Sequence, residues 1–183
     1  MARIVYGMLT SLDGYISGPE GGPGLPGPDN DLHKYFNEEM KRTAGAIYGR
    51  RMYEVMRAWD ALEGEPDPVY AEFGSAWRAI PKLVVSTTLR EVGPNATLAS
   101  GDLEAAVAAL KARTDGNIEV AGAGLAANLA RLGLIDEYRL YVQPVVLGAG
   151  KPFFEAGLSL GLKPLGTESL PEGCTLLRFA PAG

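Results

Sequence analysis

Four short stretches hold most of the side chains able to do chemistry, and each follows an apolar run of strand length. They are Thr10-Ser11-Leu12-Asp13-Gly14, Gly49-Arg50-Arg51, Ser86-Thr87-Thr88 and Gly122-Ala123-Gly124. Together they offer a carboxylate, two guanidiniums, hydroxyls and a glycine elbow. Guanidinium forks and hydroxyls suit phosphate oxygens. Glycines where a strand runs into a helix let backbone N–H groups approach an anion. Each stretch also has a plain structural reading. Asp13-Gly14 is a turn dipeptide, serine and threonine cap helices, and arginines in a first helical turn are often solvated. Jointly they fit a ligand carrying phosphates, and Asp13, Arg50, Ser86 and Gly122 are expected around one shared cavity.

The elements that must position these loops alternate. Apolar runs predict strands over 4–9, 46–48, 83–85, 118–121 and 138–147, the last interrupted at Pro144. Helical spacing appears over 31–43, 50–58, 70–79, 102–113 and 124–132, with Asp102 as an N-cap. After Lys151 the helices stop. Two strand patterns, 162–170 and 174–179, flank the turn Pro171-Glu172-Gly173 and predict a closing hairpin. The fold class is therefore α/β, with a mainly parallel central sheet flanked by helices and a C-terminal antiparallel hairpin. Neither repeats nor a linker break the pattern, so residues 1–183 are expected to form one domain. In such sheets ligands bind at the carboxyl ends of the strands, where the four loops emerge. Residues 17–28 hold five glycines and four prolines. They are read either as a surface loop or as a lid over the ligand, with Leu25 as its apolar contact.

Composition narrows the classes of function. A formal charge of −5 and scattered basic residues argue against nucleic acid. One cysteine, Cys174, and one histidine, His33, leave no zinc-type cluster, so no metal is expected. No apolar run approaches the roughly 20 residues of a membrane span. Met1-Ala2-Arg3 leads straight into a strand pattern, and a cytoplasmic location is expected. A serine hydrolase would need a Gly-x-Ser-x-Gly elbow, which the sequence lacks. His33 lies in a charged helix and is expected to face solvent. Cys174 reads as a small strand residue, and Trp59 and Trp77 as packing residues.

Several motifs resemble the dihydrofolate reductase-like superfamily, and especially the branch near the C-terminal reductase domain of bacterial riboflavin biosynthesis. Ser11-Leu12-Asp13-Gly14-Tyr15-Ile16 resembles that branch's first-strand signature, and Gly49-Arg50-Arg51-Met52-Tyr53-Glu54 its Gly-Arg-x-Thr-x-Glu helix start. Val84-Val85-Ser86-Thr87 resembles the strand leading to the adenosine pocket. The most specific match is Val142-Gln143-Pro144-Val145-Val146-Leu147-Gly148-Ala149-Gly150-Lys151-Pro152-Phe153-Phe154.

The resemblance implies a homodimeric NADPH-dependent reductase that passes hydride to a small pyrimidine- or pterin-like heterocycle. It places Gly49, Arg50 and Arg51 at the 2′-phosphate, and Ser86 and Thr87 beside the adenosine. Gly122, Ala123, Gly124 and Leu125 would meet the pyrophosphate and nicotinamide. It makes Asp31 and Asp13 the candidate catalytic acids, although Asp29-Asn30-Asp31 also reads as a capping cluster. The chain departs from the pattern at Met52 (for threonine) and at Ala123, which interrupts a double glycine. Gln143 stands where folate reductases carry a threonine that supports substrate recognition. The Asp-Asn-Pro-x-Leu pattern of riboflavin-pathway reductases is also missing. These departures leave a second reading open: a non-catalytic NADPH-binding sensor or degenerate reductase.

Overall fold

The computed structural model describes residues 1–21, 24–61 and 64–183. Gly22 and Pro23 of the glycine- and proline-rich stretch, and Leu62 and Glu63 of the acidic loop beyond Trp59, lie outside the described residues. The chain divides into two compact units, one of Met1–Arg3 with His33–Gly122, the other of Ile4–Leu32 with Ala123–Gly183.

In the first unit, strands β3 (Thr43–Gly49), β4 (Lys82–Val85), β5 (Ala96–Ala99) and β6 (Asn117–Ala121) lie side by side in the order β5-β4-β3-β6. All three pairings are parallel, with Ala46 opposite Lys82, Ile47 opposite Val120 and Leu83 opposite Thr97. Parallel neighbours require crossovers. α2 (Arg50–Met56) and α3 (Pro68–Ala79) lie between β3 and β4, and α4 (Leu103–Ala112) lies between β5 and β6. Residues 86–95 join β4 to β5 without a helix, and most of α1 (Asn30–Arg42) leads into β3.

Helix starts reflect local chemistry. Asp67 accepts from Val69 N at 2.8 Å with Pro68 in the first turn, and Asp102 accepts from Ala105 N at 3.0 Å. Each cap contributes about 1 kcal/mol. Ala46, Tyr48, Tyr53, Trp77, Ile80 and Val84 form the core, where Trp77 Nε1 donates to Tyr48 Oη at 3.1 Å. Lys82 is buried in the same region, its Nζ donating to Ile80 O at 2.9 Å and lying 4.1 Å from the Trp77 ring centre. Burial lowers this ammonium to about 8, against the opposing pull of Asp60.

His33 corrects an expectation. It is buried, not solvent-facing, because Trp59, Tyr70 and Phe73 close over it with ring centres 4.7 to 5.9 Å away. Its Nδ1–H donates to Asn37 Oδ1 at 3.2 Å, and Asn37 in turn donates to Val69 O and Glu72. The histidine is a bonded core residue.

The second unit is built on β1 (Arg3–Thr10), β7 (Glu137–Val142), β10 (Thr175–Pro181) and β9 (Leu162–Ser169), adjacent in that order. β1 and β7 are parallel, whereas β7, β10 and β9 are antiparallel in turn. The expected fold class holds: mainly parallel strands alternate with helices and a closing antiparallel hairpin. α5 (Ala123–Arg131) belongs to this unit, as does a small ribbon of β2 (Tyr15–Ser17) with β8 (Lys151–Pro152). Buried Glu137 accepts from Arg139 Nε at 2.8 Å and Arg178 Nε at 2.7 Å, which ties β7 to β10.

β7 stops at Val142, short of the expected Leu147. Pro144 cannot donate to a ladder, and the loop after it takes its bonds from Asp13 instead. Among the described residues, no helix is long and apolar enough to cross a membrane, and no cluster of His, Cys, Asp and Glu could hold a metal ion.

Candidate functional site

Three parallel strands of the first unit end along one edge, and the segments leaving them line a single cleft. β3 ends at Gly49, the N-cap of α2, so Arg50 opens that helix. β4 gives way to Ser86-Thr87-Thr88, and β5 to Ser100-Gly101. Arg50, Ser86, Thr87, Thr88, Ser100 and Gly101 are among the residues around a cleft of about 420 Å³. The expected neighbours Arg50, Ser86 and Thr87 are thus brought together.

Their states differ. Ser86 is buried, its N–H bonds Ala99 O at 2.9 Å, and its Oγ accepts from Thr88 N and Leu89 N at 3.2 and 3.0 Å. It builds the loop and also lies 3.4 Å from Thr88 Oγ1, a long hydroxyl contact, while Thr87 and Thr88 are both exposed. Arg50 lies 3.5 Å from Glu54 Oε1 one turn along α2, with both side chains nearly half exposed. Such a pair is worth about 0.3–0.5 kcal/mol, which a phosphate easily outcompetes. Arg51 is exposed on α2 and is not among the residues lining the cleft.

Gly122 ends the first unit with φ +107°, a backbone state that a side chain would strain, although a Cβ there would meet Met52 at an ordinary 3.8 Å. Ala123 is buried and opens α5, with Gly124 and half-buried Leu125 next in its first turn. Sequence reasoning missed Glu155. A Cβ on Gly124 would sit 3.1 Å from Glu155 Oε1, so this carboxylate rests on the first turn of α5. Burial first, and Glu155 second, push the Tyr6 phenol above its ordinary range, and Tyr6 Oη donates to Phe153 O at 3.0 Å.

In the second unit Asp13 is occupied. Its carboxylate accepts from Leu147 N at 3.1 Å and Gly148 N at 2.7 Å. The Ser11 hydroxyl first, then those amides, hold it below the usual carboxylate range. Asp13 therefore clamps the loop after β7. Asp31 is exposed in the first turn of α1.

The segment before that helix, residues 24–29, is a strap with remote anchors. Gln143 Nε2 donates to Pro26 O at 3.1 Å. Glu172, at φ +61° in the hairpin turn, accepts from Asp29 N and Leu32 N, each at 3.0 Å. Gly24 packs so tightly on Gly18 that a Cβ would lie 2.5 Å from its nitrogen. Gln143 Oε1 is buried and has no partner among the described residues, a state that costs roughly 1–3 kcal/mol. Glu155 and Glu172 carry no local sequence signal. Gln143 shows only as an amide at the end of an apolar strand.

Alternating elements, the closing hairpin and a polar cleft at parallel strand ends define a dihydrofolate reductase-like fold. One structure of that fold, the dihydrofolate reductase of Enterococcus faecalis complexed with NADP(H) and RAB-propyl, superposes with a TM-score of 0.66. It is 15% identical, with 99% of this chain and 97% of that one covered.

Within this fold the chain belongs to the RibD C-terminal domain family, which matches residues 2–176. A protein of Shewanella sp. PV-4 assigned to riboflavin biosynthesis is similar at 27% identity and TM-score 0.73, with both chains fully covered. The uncharacterized protein YyaP of Bacillus subtilis (strain 168) is 29% identical over 173 residues, which are 93% of this chain and 90% of that protein. Family and fold are those of reductases.

Proposed function

We propose that the protein is an NADPH-dependent oxidoreductase that reduces a small pyrimidine- or pterin-like heterocycle, acting in the cytoplasm as a homodimer. The observation that carries this reading is the first unit's cleft, where a loosely paired guanidinium stands beside the exposed hydroxyls of Thr87 and Thr88. Its donor set fits a phosphate monoester, and its volume suits the nucleoside end of a cofactor. NADPH, when bound, supplies the hydride.

The chain's own residues do the rest. Arg50 exchanges Glu54 for the 2′-phosphate, with Thr87 and Thr88 donating from the other wall and Ser86 holding their loop. Gly122 to Leu125 give the backbone approach for further phosphate oxygens, and there Glu155 has to turn aside. Asp31 is the residue that relays a proton to the substrate ring, whereas Asp13 stays bonded to the loop after β7. The closing hairpin, with its outer strand β9 exposed along almost its whole length, offers the edge for a second copy.

Glu155 on the first turn of α5 favours a second reading, a degenerate reductase that binds NADPH weakly without turnover. Titration with NADPH monitored by its fluorescence tests the main reading, together with NADPH consumption across pyrimidines and pterins. Binding with turnover is the expected result. Binding without turnover selects the second reading, and no binding removes both.

A further inference from the structure

We infer that Gln143 of the second unit sets the specificity for the heterocyclic substrate, its side-chain carbonyl accepting a hydrogen bond from a ring N–H of a lactam-type heterocycle. The inference rests on the reductase reading above and adds the chemical class of the edge that is recognised.

The orientation of the amide is fixed by its surroundings. Pro26 O, a pure acceptor, lies 3.1 Å from Nε2, and the flipped amide would set two carbonyl oxygens against each other. Oε1 is then the atom left buried without a donor. Polar groups beside it are bonded. Gln143 N donates to Thr10 O at 2.8 Å, Thr10 Oγ1 donates to Ser11 O at 2.9 Å, and Ser11 Oγ accepts from Tyr15 N at 2.9 Å. Loose packing therefore does not explain the orphan. A methionine would fill the same volume with no unpaired atom, so an amide here makes sense as one half of a recognition pair.

The strap supplies the other half of the logic. Gln143 lies at the carboxyl end of β7, beside the end of β1, and Pro26 of the strap covers it. The strap's second tether is the exposed side chain of Glu172, which can release Asp29 N and Leu32 N to water. Once Pro26 moves away, Nε2 becomes a free donor next to the free acceptor Oε1. An adjacent donor and acceptor match an –NH–C(=O)– edge in the way glutamine reads the edge of a base. The strap then continues through Asp29 into the turn of α1 that carries Asp31.

Ligand-observed NMR titration of the full chain tests this, with uracil as the probe and 1,3-dimethyluracil as the analogue lacking ring N–H. Uracil is expected to bind the wild type at least ~10-fold more tightly than the dimethyl analogue. Gln143→Met is expected to erase that difference while melting at or above the wild-type temperature, because the orphan acceptor is gone. A structural role for Gln143 would instead lower the melting temperature and leave the ratio unchanged, which overturns the proposal. Should Gln143→Met fail to fold, the wild-type ratio decides alone, and equal affinities overturn the proposal. NADPH binding without any uracil preference removes the Gln143 assignment only. A uracil preference without NADPH binding removes only the cofactor reading.

Discussion

The cleft of the first unit and the strap of the second use polar side chains in contrasting ways. Around the cleft, Arg50 is held by a loose, exposed ion pair with Glu54, and Thr87 and Thr88 face solvent. Around the strap and its neighbouring loop, Asp13, Gln143 and Glu172 are each bonded to main-chain atoms from remote parts of the chain. The first region has weak internal contacts, which under the proposed function give way to a charged ligand. The second is held shut by specific bonds, with Gln143 Oε1 left without a partner among the described residues.

The largest expected effect lies beside the strap. Asp31→Asn should lower turnover about 100-fold on whichever heterocycle is reduced, with NADPH affinity unchanged. Steady-state kinetics paired with cofactor titration would separate the two, and intact turnover would remove Asp31 from proton transfer.

Lys82 comes next and separates core electrostatics from the cleft chemistry. A lysine whose folded pKa is lowered holds its proton less tightly in the native protein than in the unfolded chain. Its penalty is complete below about 8 and fades as pH rises toward the ordinary value of 10.5. Stability should therefore climb between pH 8 and 9.5, by a few degrees of melting temperature. Burial raises the Tyr48 phenol, which works in the opposite sense only at higher pH. Lys82→Met should flatten the rise, and a melting temperature that falls over this window would contradict the assignment.

A smaller loss is expected at the strap's outer tether. Glu172→Ala removes two bonds to backbone N–H groups and should cost about 1 kcal/mol, near 2–4 °C in melting temperature. Faster hydrogen exchange at Asp29 and Leu32 would localise the effect, and unchanged exchange would show that the tether holds nothing. The smallest effect belongs to α5. Glu155→Gln removes a negative charge from its first turn and should tighten NADPH binding ~3-fold at low salt, with the gain shrinking as salt is added. Weaker binding would mean that Glu155 assists the cofactor.

Local pattern made much of the fold legible. Asp102 announced α4, the small residues after Gly124 announced α5, and apolar runs marked β1, β3, β4 and β6. β5, Ala-Thr-Leu-Ala, was hidden because a half-buried edge strand carries little apolar signal. β7 reads longer in the sequence because Val145 to Leu147 continue its apolar character past Pro144. The grouping of Arg50 with Ser86 and Thr87 came from the rule that parallel strands open at their carboxyl ends. His33 and Glu172 were illegible for one reason: their partners are set by tertiary packing. Trp59, Tyr70 and Phe73 reach His33 from later helices, and Glu172 meets Leu32 across 140 positions.

The central claim is that the cleft around Arg50 takes the phosphate that distinguishes NADPH from NADH. Fluorescence titration of both cofactors against wild type and Arg50→Ala tests it most directly. We predict a wild-type preference for NADPH of at least ~10-fold, from a charge-assisted contact of about 1.5–3 kcal/mol, that disappears in Arg50→Ala. Equal affinities in the wild type, or a preference that survives the substitution, would contradict the account.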